Sequence, residues 1–168
     1  IVRIKDKFIK RLDGSVNLGF NYAKSSDNAQ FTFNSTTTYR KPKRETTLKL
    51  NSVLTHNSSD TIVSRKQDVA IDHYIKLKNS WYTNALFGWQ QNTQLGLSSR
   101  FILNGSGGKI LINSNHERLL TGAGLSFNLE DRGDSTGYVS NLEGLLMIQY
   151  KKFRYIFPKM TIDSQYIL

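Results

Sequence analysis

The residue types that usually carry chemistry are few in this chain and poorly spaced for it. Three histidines, His56, His73 and His116, lie on three separate segments, without the spacing that would let them share a metal ion. There is no cysteine, which excludes a disulfide framework and a thiolate metal site. Ser-His-Asp hydrolysis has neither a nucleophile elbow nor a strand-to-helix turn to support it. Gly105-Ser106-Gly107-Gly108-Lys109 carries the glycines and lysine of a phosphate loop. It lacks the leading glycine spacing, the Ser or Thr after the lysine and the helix that must follow. Arg132-Gly133-Asp134 spells an adhesion tripeptide, a three-residue match that chance supplies readily. Glu117 and Glu143 sit on different segments and make no glycosidase-like carboxylate pair. The expectation is a protein that is not an enzyme, with no catalytic, metal-binding or cofactor-binding residues.

Two sets of charged residues remain. One is Lys49, Asp68, Asp72, Arg100, Glu143 and Asp163, spread along the chain. The other is a cluster of cations, Arg40, Lys41, Lys43 and Arg44 together with Lys151, Lys152 and Arg154. What either set can do depends on the elements that hold it, and hydropathy makes those legible. Val16, Leu18, Phe20 and Tyr22 interleave with Asn17, Gly19 and Asn21; Leu48, Leu50 and Leu54 interleave with Lys49, Asn51 and Thr55. Successive side chains of a strand point to opposite faces, so each run has one apolar and one polar face. Runs of roughly ten alternating residues joined by turns are the sequence signature of a transmembrane β-barrel.

Composition agrees. The 168 residues suffice for one domain, only 38% of them are hydrophobic, and Ser, Thr, Asn and Gln together number 51. So many uncharged polar groups fit a hydrated barrel interior better than the dry centre of a sandwich, where an unpaired one costs roughly 1–3 kcal/mol. No apolar run approaches the roughly 18 residues of a membrane-spanning helix. Ile1 to Lys10 is charged throughout and is no cleavable signal; an exported chain would already have lost one.

Nine strands are predicted, at about residues 14–24, 29–39, 46–55, 65–75, 81–91, 95–111, 118–130, 138–150 and 159–168. Connections such as Ser25-Ser26-Asp27-Asn28 read as hairpin turns, and Pro42 and Pro158 both fall between strands. Gly105, Gly107 and Gly108 predict a bulge or a sharply coiled stretch in the sixth strand. One face then carries Phe31, Phe33, Leu48, Leu50, Val69, Ile71, Phe87, Trp89, Leu97, Phe101, Leu125, Phe127, Leu142, Leu146, Ile148, Met160 and Ile162. The other carries Asn34, Thr36, Asn51, Asn84, Ser126, Asn128 and Gln165 together with Lys49, Asp68, Asp72, Arg100, Glu143 and Asp163. In a barrel the latter six charges line the lumen and pair across it, because an unpaired buried charge is costly. Glu143 and Asp72 are the candidate partners of Arg100. Such a network serves as a structural plug or as a solute pathway.

Hairpin turns alternate between the two ends of a barrel. Even-numbered turns gather Arg40, Lys41, Lys43 and Arg44, then Lys76 and Lys78, then His116 and Arg118, then Lys151, Lys152 and Arg154. Odd-numbered turns carry Asp27, Asp60, Glu130, Asp131 and Asp134. Most of the net charge of +10 therefore collects at one pole, where the N-terminal segment also enters. Tyr39, Tyr74, Trp81, Tyr82 and Tyr150 fall at the same pole, as an interfacial aromatic belt would. A basic pole is either a solvated rim or a surface for anionic lipid headgroups or an acidic protein.

Arg11-Leu12-Asp13-Gly14-Ser15-Val16-Asn17-Leu18-Gly19-Phe20 resembles the opening strand of the YdiY-like family of salt-induced outer-membrane proteins. The order Trp81, Gln90-Gln91-Asn92-Thr93-Gln94-Leu95-Gly96-Leu97, Arg100 and Gly105 to Gly108 is similar to that family's middle. Asn141-Leu142-Glu143-Gly144 and Phe153-Arg154-Tyr155 continue the likeness over nearly the whole chain. The resemblance implies a β-barrel of unknown function in the bacterial outer membrane, and no activity. Family members continue with further strands, whereas this chain stops at Leu168 in mid-pattern, and nine strands is an odd number where single-chain bacterial barrels have even ones. The expectation is an N-terminal periplasmic entry segment at 1–13 and an outer-membrane barrel at 14–168, incomplete at its C-terminus.

The expected role is that of a structural or accessory subunit of an outer-membrane complex, or a narrow barrel with a charged lumen. Its expected partners are outer-membrane lipids and, at the basic pole, other outer-membrane or periplasmic proteins. The alternative is a soluble β-barrel or sandwich that binds a ligand. A basic nucleic-acid-binding β domain is weaker still, because the aromatics alternate on the face opposite the lysines and build no stacking platform.

Overall fold

The computed structural model describes residues 11–24, 27–57, 64–133, 137–154 and 160–167, with side chains described through residue 152 and at Ser164. The entry segment Ile1 to Lys10, Asp60, Asp134 and Pro158 lie outside the described residues. Nine strands form: β1 Leu12–Ala23, β2 Asn28–Lys41, β3 Arg44–Asn57, β4 Ser64–Lys76, β5 Trp81–Asn92, β6 Leu97–Asn113, β7 Glu117–Asp131, β8 Tyr138–Arg154 and β9 Met160–Ile167. Each pairs antiparallel with the next, in one sheet of order β1-β2-β3-β4-β5-β6-β7-β8-β9. The strands stand where the alternation predicts them. At 12 to 17 residues for β1 to β8, they overrun the alternating segments at most ends.

Local chemistry explains the hairpins. Pairing of Lys41 with Arg44 leaves Pro42-Lys43 as a two-residue turn, where the missing proline N–H breaks no ladder. Asn79 and Ser80 close the β4–β5 hairpin at φ of 56° and 62°, and asparagine tolerates this left-handed region best among residues with a side chain. Ser114 Oγ accepts from the amides of His116 and Glu117 at 3.2 and 2.9 Å, which folds the β6–β7 turn. Between β5 and β6 the chain makes a single 3₁₀ turn, Thr93–Leu95, capped by Asn92 Oδ1 and ended by Gly96 at φ 66°. Strand β6 therefore starts at Leu97 instead of at 95.

Two irregularities correct the sequence reading. The register shifts between Gln90 and Asn92, so that Arg100 faces Gln90 but Leu97 faces Asn92. The extra residue turns Leu97 from the apolar face to the inner one, where it is only 7% exposed. The second shift is at Ile110/Ile112, whereas Gly105 to Gly108 pair without interruption on both sides. These glycines are not a bulge.

Among the described residues the sheet does not close: β1 and β9 each pair on one side only. A closed barrel is thus not what these residues form by themselves. The β5–β7 side is tied together across its strands. The Tyr82 side chain lies over Gly108 and Gly122, and its hydroxyl donates to the Thr121 carbonyl two strands away at 3.2 Å. A Cβ at Gly122 would stand 2.5 Å from that hydroxyl, so glycine is what lets the ring lie there.

Candidate functional site

The polarity of the two faces is opposite to that of a water-soluble fold. Val16, Leu18, Phe20, Leu125, Leu142, Leu146 and Ile148 point outward, Phe20 being 74% exposed and Leu142 68%. Buried apolar residues among those described are only Tyr82, Leu97 and Leu120, and Thr38 and Ser126 are buried with them. Register puts Lys49, Asp68, Asp72, Arg100 and Glu143 on the inner, polar face, with Asn34, Asn51 and Ser126, whereas the Asp163 side chain lies outside the described residues.

Among the described side chains, these charges do not meet in one network. Asp68 accepts from Asn51 Nδ2 at 2.9 Å, and Asp72 accepts from Asn84 Nδ2 at 2.6 Å, so each carboxylate is satisfied by an amide on the neighbouring strand. Arg100 pairs with neither Asp72 nor Glu143. Its Nε donates to Glu130 Oε2 at 2.9 Å, because Glu130 stands directly opposite it on β7. Arg132 Nε donates to the other oxygen of Glu130 at 2.7 Å. Glu143 is exposed opposite Ser126, and the Asp163 backbone faces Lys151. Glu130 was missed in sequence because it sits at a strand end among turn residues; its inward parity was the available signal.

The aromatic belt divides. Tyr39, Trp81 and Tyr150 stand on the outward face at the basic end, where Lys41 lies 5.6 Å over the Tyr39 ring and Lys109 5.9 Å over Trp81. Tyr74 and Tyr82 do not belong to it. They alternate inward, stack on each other at 5.5 Å, and Tyr82 is 3% exposed. Sequence position showed their height along the strand but not their face.

At the basic end the inner face holds a cavity of about 600 Å³. Arg40, Lys41, Lys43 and Arg44 of the β2–β3 hairpin line it, with Lys49, Lys76 and, from across the sheet, Arg118. Arg40 is occupied: its Nε donates to Glu45 at 2.9 Å and its Nη1 to Asp13 at 3.1 Å, tying together β1, β2 and β3. Lys151 of the basic pole faces Arg118 in register, and Lys152 faces Glu117. The Arg154 side chain lies outside the described residues. Arg118 Nε and the Tyr74 hydroxyl are both buried without a hydrogen-bond partner among the described residues.

An all-antiparallel meander, apolar outside and polar inside, defines an outer-membrane-type β protein. The chain belongs to the family described as Protein of unknown function, DUF481, whose model matches residues 16–156. This is the family of YdiY-like salt-induced outer-membrane proteins, in agreement with the resemblance read from Arg11 to Tyr155. No curated protein and no solved structure matches the chain.

Proposed function

We propose that this chain is a non-enzymatic outer-membrane β-barrel, a structural or accessory component whose apolar belt contacts lipid and whose polar face encloses a narrow, charged lumen. The observation that carries this is the exposure of large apolar side chains over the outward face. Moving such a side chain out of water contributes about 1.5–3 kcal/mol, and since no other described element covers this face, an apolar solvent is what supplies that burial. On β8, Tyr138 and Tyr150 bracket Leu142, Leu146 and Ile148. Their separation is about 40 Å along the strand, or about 28 Å of height at a tilt of about 45°, which matches a hydrocarbon layer. Open sheet edges are not viable in hydrocarbon, so in the membrane β1 and β9 are both paired, directly or through further strands. The basic end faces the periplasm in this reading, together with the N-terminal entry segment.

Heat-modifiable migration tests the membrane reading. The protein extracted in mild detergent should run at a different position in SDS before and after boiling. Recovery in the soluble periplasmic fraction, with no such shift, would reject it. Orientation is tested in this Cys-free chain by single cysteines and a thiol reagent that cannot cross the outer membrane. Gln94→Cys should label on intact cells and Lys43→Cys only after permeabilisation; the reverse pattern would invert the barrel.

A further inference from the structure

We propose that the cavity at the basic end is a binding site for a phosphate-bearing anion. Lys43, Arg44, Lys49, Lys76 and Arg118 line it from opposite walls, and none of them pairs with a carboxylate among the described residues. The carboxylates that line the same space are already engaged, Glu45 by Arg40 and Asp72 by the Asn84 amide. Cations so crowded repel one another unless an anion lies between them, and a single carboxylate would neutralise only one.

Two further features point to an acceptor-rich ligand. Arg118 Nε and the Tyr74 hydroxyl are buried donors that line the cavity without a hydrogen-bond partner, although the guanidinium lies beside the hydroxyl. Leaving such donors unsatisfied is costly, most of all on a charged group. A tetrahedral oxyanion presents several oxygens, accepts from both guanidinium groups in their planar fork, and has acceptors left for the lysines and the tyrosine. The volume, about 600 Å³, lies in the range of small-ligand sites and cannot admit a folded domain. Tyr39 and Trp81 stand at the same height on the outside, so the phosphate of a lipid headgroup and free phosphate can both reach the cavity.

The test is calorimetric titration of the full chain, folded in neutral detergent, with inorganic phosphate and separately with a short-chain phosphatidic acid. One saturable site is expected. Arg118→Gln and Lys49→Gln should each weaken binding by about ten-fold or more. Lys66→Gln, at the other end of the sheet, should change affinity by less than about two-fold. Lys49 is an exposed surface side chain, so its variant keeps the test valid if Arg118→Gln fails to fold. Tighter binding of the phosphatidic acid assigns a lipid headgroup to the site, and equal affinity assigns free phosphate; both support the proposal. No saturable binding of either probe, or binding unaltered in Lys49→Gln, overturns it. Binding at this cavity does not depend on which end of the protein faces the periplasm.

Discussion

Glu130 is the most constrained carboxylate among the described residues, held between Arg132 and Arg100 at the end opposite the basic pole. Both arginines donate to it, so removing its charge deprives each of that acceptor. Glu130→Gln should lower the urea midpoint measured in detergent, and Arg100→Gln should add little to that loss in the double variant. Additive losses would show that the two residues do not act as one clamp. The clamp is partly solvated, so the loss should shrink as salt is raised.

Among the elements, the β5–β7 stretch is held by one aromatic ring and the glycines beneath it. A Cβ at Gly122 would meet chiefly the Tyr82 hydroxyl, whereas one at Gly108 would collide with the backbone of β7 at Thr121 and Gly122 as well. The two sites should respond differently to the same relief. Gly122→Ala should destabilise by about 1–3 kcal/mol, and much of that loss should be recovered when Tyr82→Phe removes the hydroxyl. Gly108→Ala should cost at least as much and gain little from Tyr82→Phe. Equal rescue at both positions, measured by denaturant unfolding in detergent, would rule out this account of the glycines. The sequence singles out Gly108, within the Gly105 to Gly108 cluster, but not Gly122, and it has no means of showing that a tyrosine from β5 lies across both.

For the whole molecule the decisive property is which face meets which solvent. Leu50 and Ile148 lie on the outward face and Asn51 on the inner one. Leu50→Arg or Ile148→Arg should cost roughly 2–4 kcal/mol if the residue sits near mid-membrane, and Asn51→Arg much less. Folding yields into lipid vesicles measure this, and equal yields for the two classes would reject the face assignment. The basic end belongs to the same scale, because its cations come from hairpins far apart in sequence and share one cavity only once the sheet coils.

The strands, their faces and the gathering of cations at one end were determined by the sequence, because a period of two and the alternation of hairpins are local rules that need no tertiary information. Long-range geometry decided the rest. One extra residue within β6, between Leu97 and Arg100, reverses the face of Leu97, and no period of two announces where such a residue falls. Register placed Glu130 against Arg100 where reading by type suggested Asp72 or Glu143. The coiling of the sheet brought Arg118 of β7 to the same cavity as Lys49 of β3, and turned Tyr74 and Tyr82 into a stacked pair inside the fold. Pairing partners and curvature arise from the sum of many weak contacts between distant segments, so only the folded sheet shows them.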